Sequence, residues 1–204
     1  MSQFFQIHPE NPQQRLIKQA AEIIRGGGLA VIPTDCAYAC RLGDKNATER
    51  LHRLRQLGPK HNFTLLCRDL SELSLFAKVD NSQYRLLKAH TPGAFTFILP
   101  GTREVPRLLM HPKKRTIGIR VPANAIAMAL LEEMNEPLMT TSLIMPGEIM
   151  PLSDPYDIRQ MLEHQLDLVV DGGYCGIEAT TVIDMTEEVP ELLRQGVGDA
   201  SAFL

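Results

Sequence analysis

With 204 residues, 44% of them hydrophobic and 22% charged, and a net charge of −3, the chain is long enough to bury a sizeable core. Wholesale disorder is excluded, and nothing in the total charge draws it to nucleic acid. The start, Met1-Ser2-Gln3-Phe4-Phe5-Gln6, has no basic region ahead of an apolar stretch, and no later run approaches the roughly 18 apolar residues of a membrane span, so one domain over residues 1–204, cytoplasmic and without membrane association, is expected.

In chain order, Asn11 is placed to cap a helix that begins at Pro12, carries Leu16, Ile17, Ala20, Ile23 and Ile24 as its apolar stripe, and stops at Gly26-Gly27-Gly28. Phosphate-binding glycines lie between a strand and the helix that follows it; these glycines follow a helix and precede a strand, and read as a helix stop. Leu29-Ala30-Val31-Ile32 is then a buried strand that delivers a polar loop, Pro33-Thr34-Asp35-Cys36-Ala37-Tyr38, to the floor of a site. A second helix over 46–54 places Arg50, Arg53 and Arg55 on its exposed side and closes at Gly58-Pro59. A strand over 63–67, a helical turn over 71–76, a helix over 82–90 and a strand over 95–99 follow, the last with Thr96 among apolar neighbours. Residues 116–121 alternate with period two, which puts Thr116, Gly118 and Arg120 on one face. A helix over 124–134, a strand over 138–142, a helix over 154–163, a strand over 166–170, a turn at Asp171-Gly172-Gly173 and a strand pair over 180–185 and 190–194 complete the chain. Strands interleaved with helices, some too closely spaced for a helical crossover, specify an α/β domain with an open, twisted mixed sheet of parallel and antiparallel strands and flanking helices.

The charge is uneven. Arg50, Arg53, Arg55 and Lys60 form one basic cluster, and Arg103, Arg107, Lys113, Lys114 and Arg115 a second. Gathered on one concave face they would hold phosphates despite the negative total; apart, they are two solvated surfaces. Cys36, Cys40, Cys67 and Cys175 are too few and too scattered for a disulfide scaffold, so reduced thiols are expected. Cys36 and Cys40 are four apart, but no second ligand pair has matching spacing, and no metal site is expected.

Several strands carry or end in a hydroxyl or a guanidinium: Thr34, Thr96, Arg120, Thr140-Thr141-Ser142, Thr180-Thr181 and Arg194. Converging at strand ends, they would build a pocket for a ligand with phosphate and carboxylate groups. The alternative is that threonine is simply a good strand former. G-x-S-x-G and H-E-x-x-H are absent, and Asp35 is either a general base or the anchor of an Asx turn.

Pro33-Thr34-Asp35-Cys36-Ala37-Tyr38 resembles the P-T-D-T-x-Y-G signature of the YrdC/YciO family, whose members make threonylcarbamoyl-AMP from L-threonine, bicarbonate and ATP as an intermediate in tRNA modification. The resemblance continues in order along the chain. Pro92-Gly93-Ala94-Phe95-Thr96-Phe97-Ile98-Leu99 is similar to P-G-P-x-T-x-I-L, and 117–122 to V-x-V-R-x-P. Asp171-Gly172-Gly173 and Thr180-Thr181-Val182-Ile183-Asp184 resemble D-G-G and S-T-V-x-D, and Leu193-Arg194-Gln195-Gly196 resembles L-R-x-G.

The resemblance implies that Thr34, Tyr38, Thr96 and Arg120 line the threonine side. Arg55, Ser142, Thr180 and Arg194 would lie near the phosphates of an ATP- or AMP-type nucleotide, with magnesium accompanying it, and Arg55, Ser142 and Arg194 would act in catalysis. The synthases' K-x-R falls on Arg55-Gln56-Leu57 and their S-x-N on Ser142-Leu143-Ile144, so two polar groups on the phosphate side are replaced. Each lost charge-assisted contact is worth about 1.5–3 kcal/mol. Weak synthesis or hydrolysis of threonylcarbamoyl-AMP is therefore the expectation, and the alternative is a non-catalytic protein that binds double-stranded RNA or tRNA through its basic face.

Overall fold

The computed structural model describes residues 1–34, 37–58 and 61–203. The readings of Asp35, Cys36, Pro59 and Lys60 lie outside the described residues. In chain order the elements are β1 (Gln3–Gln6), α1 (Gln14–Arg25), β2 (Ala30–Ile32), β3 (Ala37–Arg41), α2 (Lys45–Arg55), β4 (Thr64–Leu66), α3 (Leu70–Phe76), α4 (Asn81–His90), β5 (Phe95–Pro100), β6 (Thr116–Arg120), α5 (Ala125–Met134), β7 (Leu138–Ser142), α6 (Pro155–Leu162), β8 (Leu168–Asp171), β9 (Thr181–Asp184) and β10 (Glu191–Arg194). The expected α/β architecture with mixed strand directions is borne out.

The chain groups into two compact units, Met1–Pro59 with Asn124–Ile177, and Lys60–Ala123 with Glu178–Leu204. The first unit orders its strands β1-β8-β2-β3-β7. β8 pairs parallel with β1 and β2, whereas β3 pairs antiparallel with β2 and β7. The second orders them β4-β6-β5-β9-β10, with β4·β6 and β5·β9 parallel and β5·β6 and β9·β10 antiparallel.

In the first unit, α1 buries Ile17, Ala20, Ala21 and Ile24, the stripe that helical periodicity demands. Its end confirms the glycine run as a stop: Gly28 donates its N–H to the Ile23 carbonyl and Gly27 to that of Ile24, with Gly27 at φ +89°. That is a Schellman closure, and the left-handed turn suits a residue without Cβ. Its start differs from expectation. Asn11 gives its N–H to His8 Nδ1, so the His8-Pro9 turn occupies it and α1 begins only after Gln13.

α2 is capped by Asp44, whose carboxylate accepts from the Ala47 N–H, and ends in a left-handed Gln56 at φ 52°. α5 and α6 are capped by Asn124 and Asp154. In the second unit, Asp69 caps α3, and Asp80 with Gln83 closes a capping box on α4.

Two strands are not expected from the sequence. β1, Gln-Phe-Phe-Gln, pairs with β8 some 165 residues away, and β3 runs through Ala37 and Tyr38, where the sequence predicts a loop. The alternation in β6 does not separate a wet face from a dry one, because all five of its residues are buried between β4 and β5. Cys40 and Cys67 are free and buried, but Cys175 is disulfide-bonded, which corrects the expectation of reduced thiols. Spacing along the chain says nothing about which sulfurs meet in space.

Candidate functional site

In the second unit, pairing of β5 with β9 opposes Phe95 to Thr181 and Thr96 to Val182. This register brings Thr96 beside Thr180, the residue just before β9, and their hydroxyls lie 2.8 Å apart, buried. Arg194, in β10 opposite Val182, reaches back along β9. Its Nε and Nη2 donate to the Thr180 carbonyl at 3.1 and 2.9 Å, and Nη2 also contacts the Thr180 hydroxyl at 3.3 Å. Among the described residues neither Nη1 hydrogen has a partner, so both remain for an anion. Arg120 ends β6 and is 8% exposed. It follows Ile119, the partner of Phe97, so Thr96 and Arg120 continue the antiparallel register of β5 and β6. Thus Thr96, Thr180 and Arg194 form one hydrogen-bonded group, with Arg120 held on the neighbouring strand.

In the first unit, the β3–β7 register opposes Tyr38 to Thr141 and Ala37 to Ser142. Tyr38 is fully buried and its hydroxyl lies 3.8 Å from Met145 Sδ. Arg55, in the last turn of α2, donates from Nε to the Ile144 carbonyl at 2.9 Å and from Nη1 to the Thr141 hydroxyl at 2.9 Å. This corrects its assignment to an exposed helix face: Arg55 stands four residues after buried Leu51 and so beside the buried stripe of α2, whereas Arg53 is exposed. Burial pushes the Tyr38 phenol well above its usual range, partly opposed by Arg55, and burial lowers the Arg55 guanidinium, partly opposed by Tyr38. The phenol therefore stays neutral and acts as a hydroxyl. Thr34 is buried at the turn after β2, and Ser142 is exposed at the end of β7.

Each unit thus carries a hydroxyl–guanidinium group: Thr96, Thr180 and Arg194 in one; Arg55, Thr141 and Tyr38 in the other. Thr141, rather than Ser142, bonds Arg55 within its unit. The sequence offered Thr140-Thr141-Ser142 together and could not separate them, because the strand partner decides which hydroxyl meets the guanidinium. Leu57 follows Arg55 by one turn residue and gives its N–H to the His52 carbonyl. Ile144 serves Arg55 through its main-chain oxygen, not its side chain.

Hydroxyls and guanidiniums at these positions suit a ligand with phosphate and carboxylate groups. A model of the Sua5/YciO/YrdC family, described as telomere recombination, matches residues 22–196. The chain belongs to the Sua5/YciO/YrdC family. It is 58% identical to YciO of Escherichia coli K12 over 206 residues, covering all of both chains, and the crystal structure of E. coli YciO superposes with a TM-score of 0.96 over both full chains. It is 30% identical over 192 residues to the threonylcarbamoyl-AMP synthase of Pyrococcus abyssi, covering 92% of this chain and 56% of that protein. The structure of P. abyssi Sua5 complexed with L-threonine matches with a TM-score of 0.87 at 28% identity, over 96% of this chain and 58% of that one. The Sua5/YciO/YrdC family therefore includes threonylcarbamoyl-AMP synthases, and this chain shares their fold. No helix among the described residues is long and apolar enough to cross a membrane.

Proposed function

We propose that the chain is a cytoplasmic protein that binds threonylcarbamoyl-AMP or its precursors and forms or hydrolyses the adenylate weakly. The observation that carries this reading is the intact Thr96–Thr180–Arg194 group, with a guanidinium anchored by its Nε edge and open at Nη1. Support also comes from a synthase relative and from a Sua5 structure complexed with L-threonine. In synthesis, threonine and bicarbonate give N-carboxythreonine and water. A carboxylate oxygen then attacks the α-phosphorus of ATP, and the α–β phosphoanhydride bond breaks to release pyrophosphate. In hydrolysis, water cleaves the mixed anhydride to AMP and N-carboxythreonine, releasing a proton.

In this reading Arg120 pairs with the threonine carboxylate, and Thr34, Tyr38 and Thr96 line the amino-acid side. Arg194, Thr180, Arg55 and Ser142 attend the phosphates, where a positive group stabilises the charge that develops as the anhydride bond breaks. These groups offer hydroxyls and guanidiniums but no carboxylate, so magnesium enters with the nucleotide phosphates as part of the substrate. Arg194 donates through Nη1, Arg55 through Nη2. The replacements at Leu57 and Ile144 remove two further donors, which is why turnover is weak. The test supplies purified protein with ATP, bicarbonate and L-threonine, then separately with threonylcarbamoyl-AMP, and follows the adenylate and AMP directly. Slow turnover in either direction is expected; no product and no hydrolysis would end this reading.

A second reading, a protein that binds double-stranded RNA or tRNA, is favoured by residues 103–115 between β5 and β6. Arg103, Arg107, Lys113, Lys114 and Arg115 are all exposed there, accompanied by the single carboxylate of Glu104. Val105 and Leu109 are buried and anchor the segment, and His111 Nδ1 accepts the N–H groups of Lys113 and Lys114, which shapes the basic turn. RNA affinity should fall steeply as salt rises; binding insensitive to salt would contradict a phosphate-dominated interface.

A further inference from the structure

The start of β9 is held by the segment that leaves β10. Thr181 is fully buried; its hydroxyl donates to the Gly198 carbonyl at 2.6 Å and accepts the Gly196 N–H at 3.0 Å. The Val197 N–H donates to the Ala179 carbonyl at 3.1 Å, and Gln195 Nε2 bonds the carbonyls of Gly196 and Gly198. The approach is too close for side chains. A Cβ on Gly196 would fall 2.2 Å from the Ala179 oxygen, and one on Gly198 2.7 Å from the Phe95 ring. Both glycines are needed for contact distance, not for backbone conformation. Residues 194–198 thus fold back over 179–181 as a clasp, with one hydroxyl as its pin.

Arg194 stands at the first residue of this clasp, and its own bonds go to Thr180, one residue from the pin. We infer that Thr181 is a positioning residue: its hydroxyl holds residues 196–198 against β9 and thereby aims the Arg194 guanidinium, so that Thr181 sets the affinity for the anionic part of the ligand without touching it. The ligand half of this inference rests on the proposed adenylate chemistry; the clasp does not. A buried hydroxyl that both donates and accepts cannot be replaced by a methyl group without depriving the Gly196 N–H of its acceptor and leaving the Gly198 carbonyl to Gln195 Nε2 alone. Val keeps the shape of Thr and removes only that function, whereas Ser keeps the hydroxyl and removes only the methyl.

The experiment compares Thr181→Val with Thr181→Ser in the full chain. In Thr181→Val, amide hydrogen exchange at Gly196 and Val197 should lose roughly tenfold or more of its protection, and the Arg194 Nε–H signal should exchange faster. With ATP, bicarbonate and threonine, KM for ATP should rise on the order of tenfold while kcat changes less than about twofold. Thr181→Ser should restore both readouts. Equal protection in Thr181→Val and the unsubstituted chain would overturn the inference, as would a Ser variant as impaired as the Val variant, since packing of the methyl would then be the cause. If the unsubstituted chain neither makes nor hydrolyses the adenylate, the proposed chemistry fails, and the exchange of the Gly196 amide and the Arg194 Nε–H still decides whether Thr181 holds the clasp.

Discussion

Arg194 and Arg55 are the same side chain put to opposite uses. Arg194 lies on the exposed strand β10, bonds the carbonyl and hydroxyl of one residue, Thr180, and keeps Nη1 open among the described residues. Arg55 is half-buried at the end of α2 and is shared between the Thr141 hydroxyl and the Ile144 carbonyl, beside a neutral Tyr38. One guanidinium is presented by the fold; the other is part of it. Motif likeness treats both as phosphate ligands, yet only their partners show how much of each is left for a ligand.

The largest effect should separate the two directly. Arg194→Ala is expected to lower kcat/KM for the adenylate reaction on the order of 10- to 100-fold while stability changes by less than about 1 kcal/mol. Arg55→Ala leaves a hydroxyl and a carbonyl of a half-buried site without their donor, and should cost about 1–3 kcal/mol in denaturant unfolding. Similar stability losses in both variants would collapse the distinction.

Next in size is a gain of function. Because Arg55 uses only the main-chain oxygen of Ile144, the Leu57→Arg/Ile144→Asn double variant adds polar side chains without removing that brace. It should raise the rate of threonylcarbamoyl-AMP synthesis roughly tenfold or more, in line with about 1.5–3 kcal/mol per charge-assisted contact. An unchanged rate would mean that the weakness lies elsewhere.

A third, smaller effect concerns pH. Burial raises the Cys40 thiol of the first unit from 9.0 to about 12, and raises Cys67 of the second unit as well. A raised folded value favours the protonated form in the native state. Stability is therefore fully present below pH 9 and is lost progressively above it, as the unfolded thiols ionise first. Cys40→Ala and Cys67→Ala should each flatten the alkaline decline of stability between pH 9 and 11, and amide exchange resolved by unit should show whether one unit loosens before the other. A decline as steep in both variants as in the unsubstituted chain would refute the assignment.

The smallest expected change is at Gln56, which takes φ 52° between Arg55 and Leu57. Gln56→Gly removes the cost of a left-handed residue with a side chain and should shift stability upward by about 1 kcal/mol or less, with the Arg55 bonds intact.

Much of this was legible. β7 falls on residues 138–142 as expected, and the Gly26-Gly27-Gly28 stop and the Asn124 start follow from helix chemistry that is local to a few residues. Strands whose identity depends on distant partners were harder. β3, Ala-Tyr-Ala-Cys-Arg, is buried at its first four positions and shows no alternation, so only its pairing with β2 and β7 makes it a strand. The four-residue β1 has no flanking turn signal strong enough to announce it.

The site divides in the same way. Residue types and ordered motifs determined the α/β class, the family, and the set of hydroxyls and guanidiniums that carry the chemistry, because those properties depend on side-chain identity and short-range spacing. Tertiary structure alone decided that Thr141 rather than Ser142 bonds Arg55, that Ile144 acts through its backbone, and that Thr181 pins the segment following Arg194. Those assignments depend on strand register and on contacts between residues up to 89 positions apart, where a shift of one residue exchanges one hydroxyl for its neighbour on the opposite face.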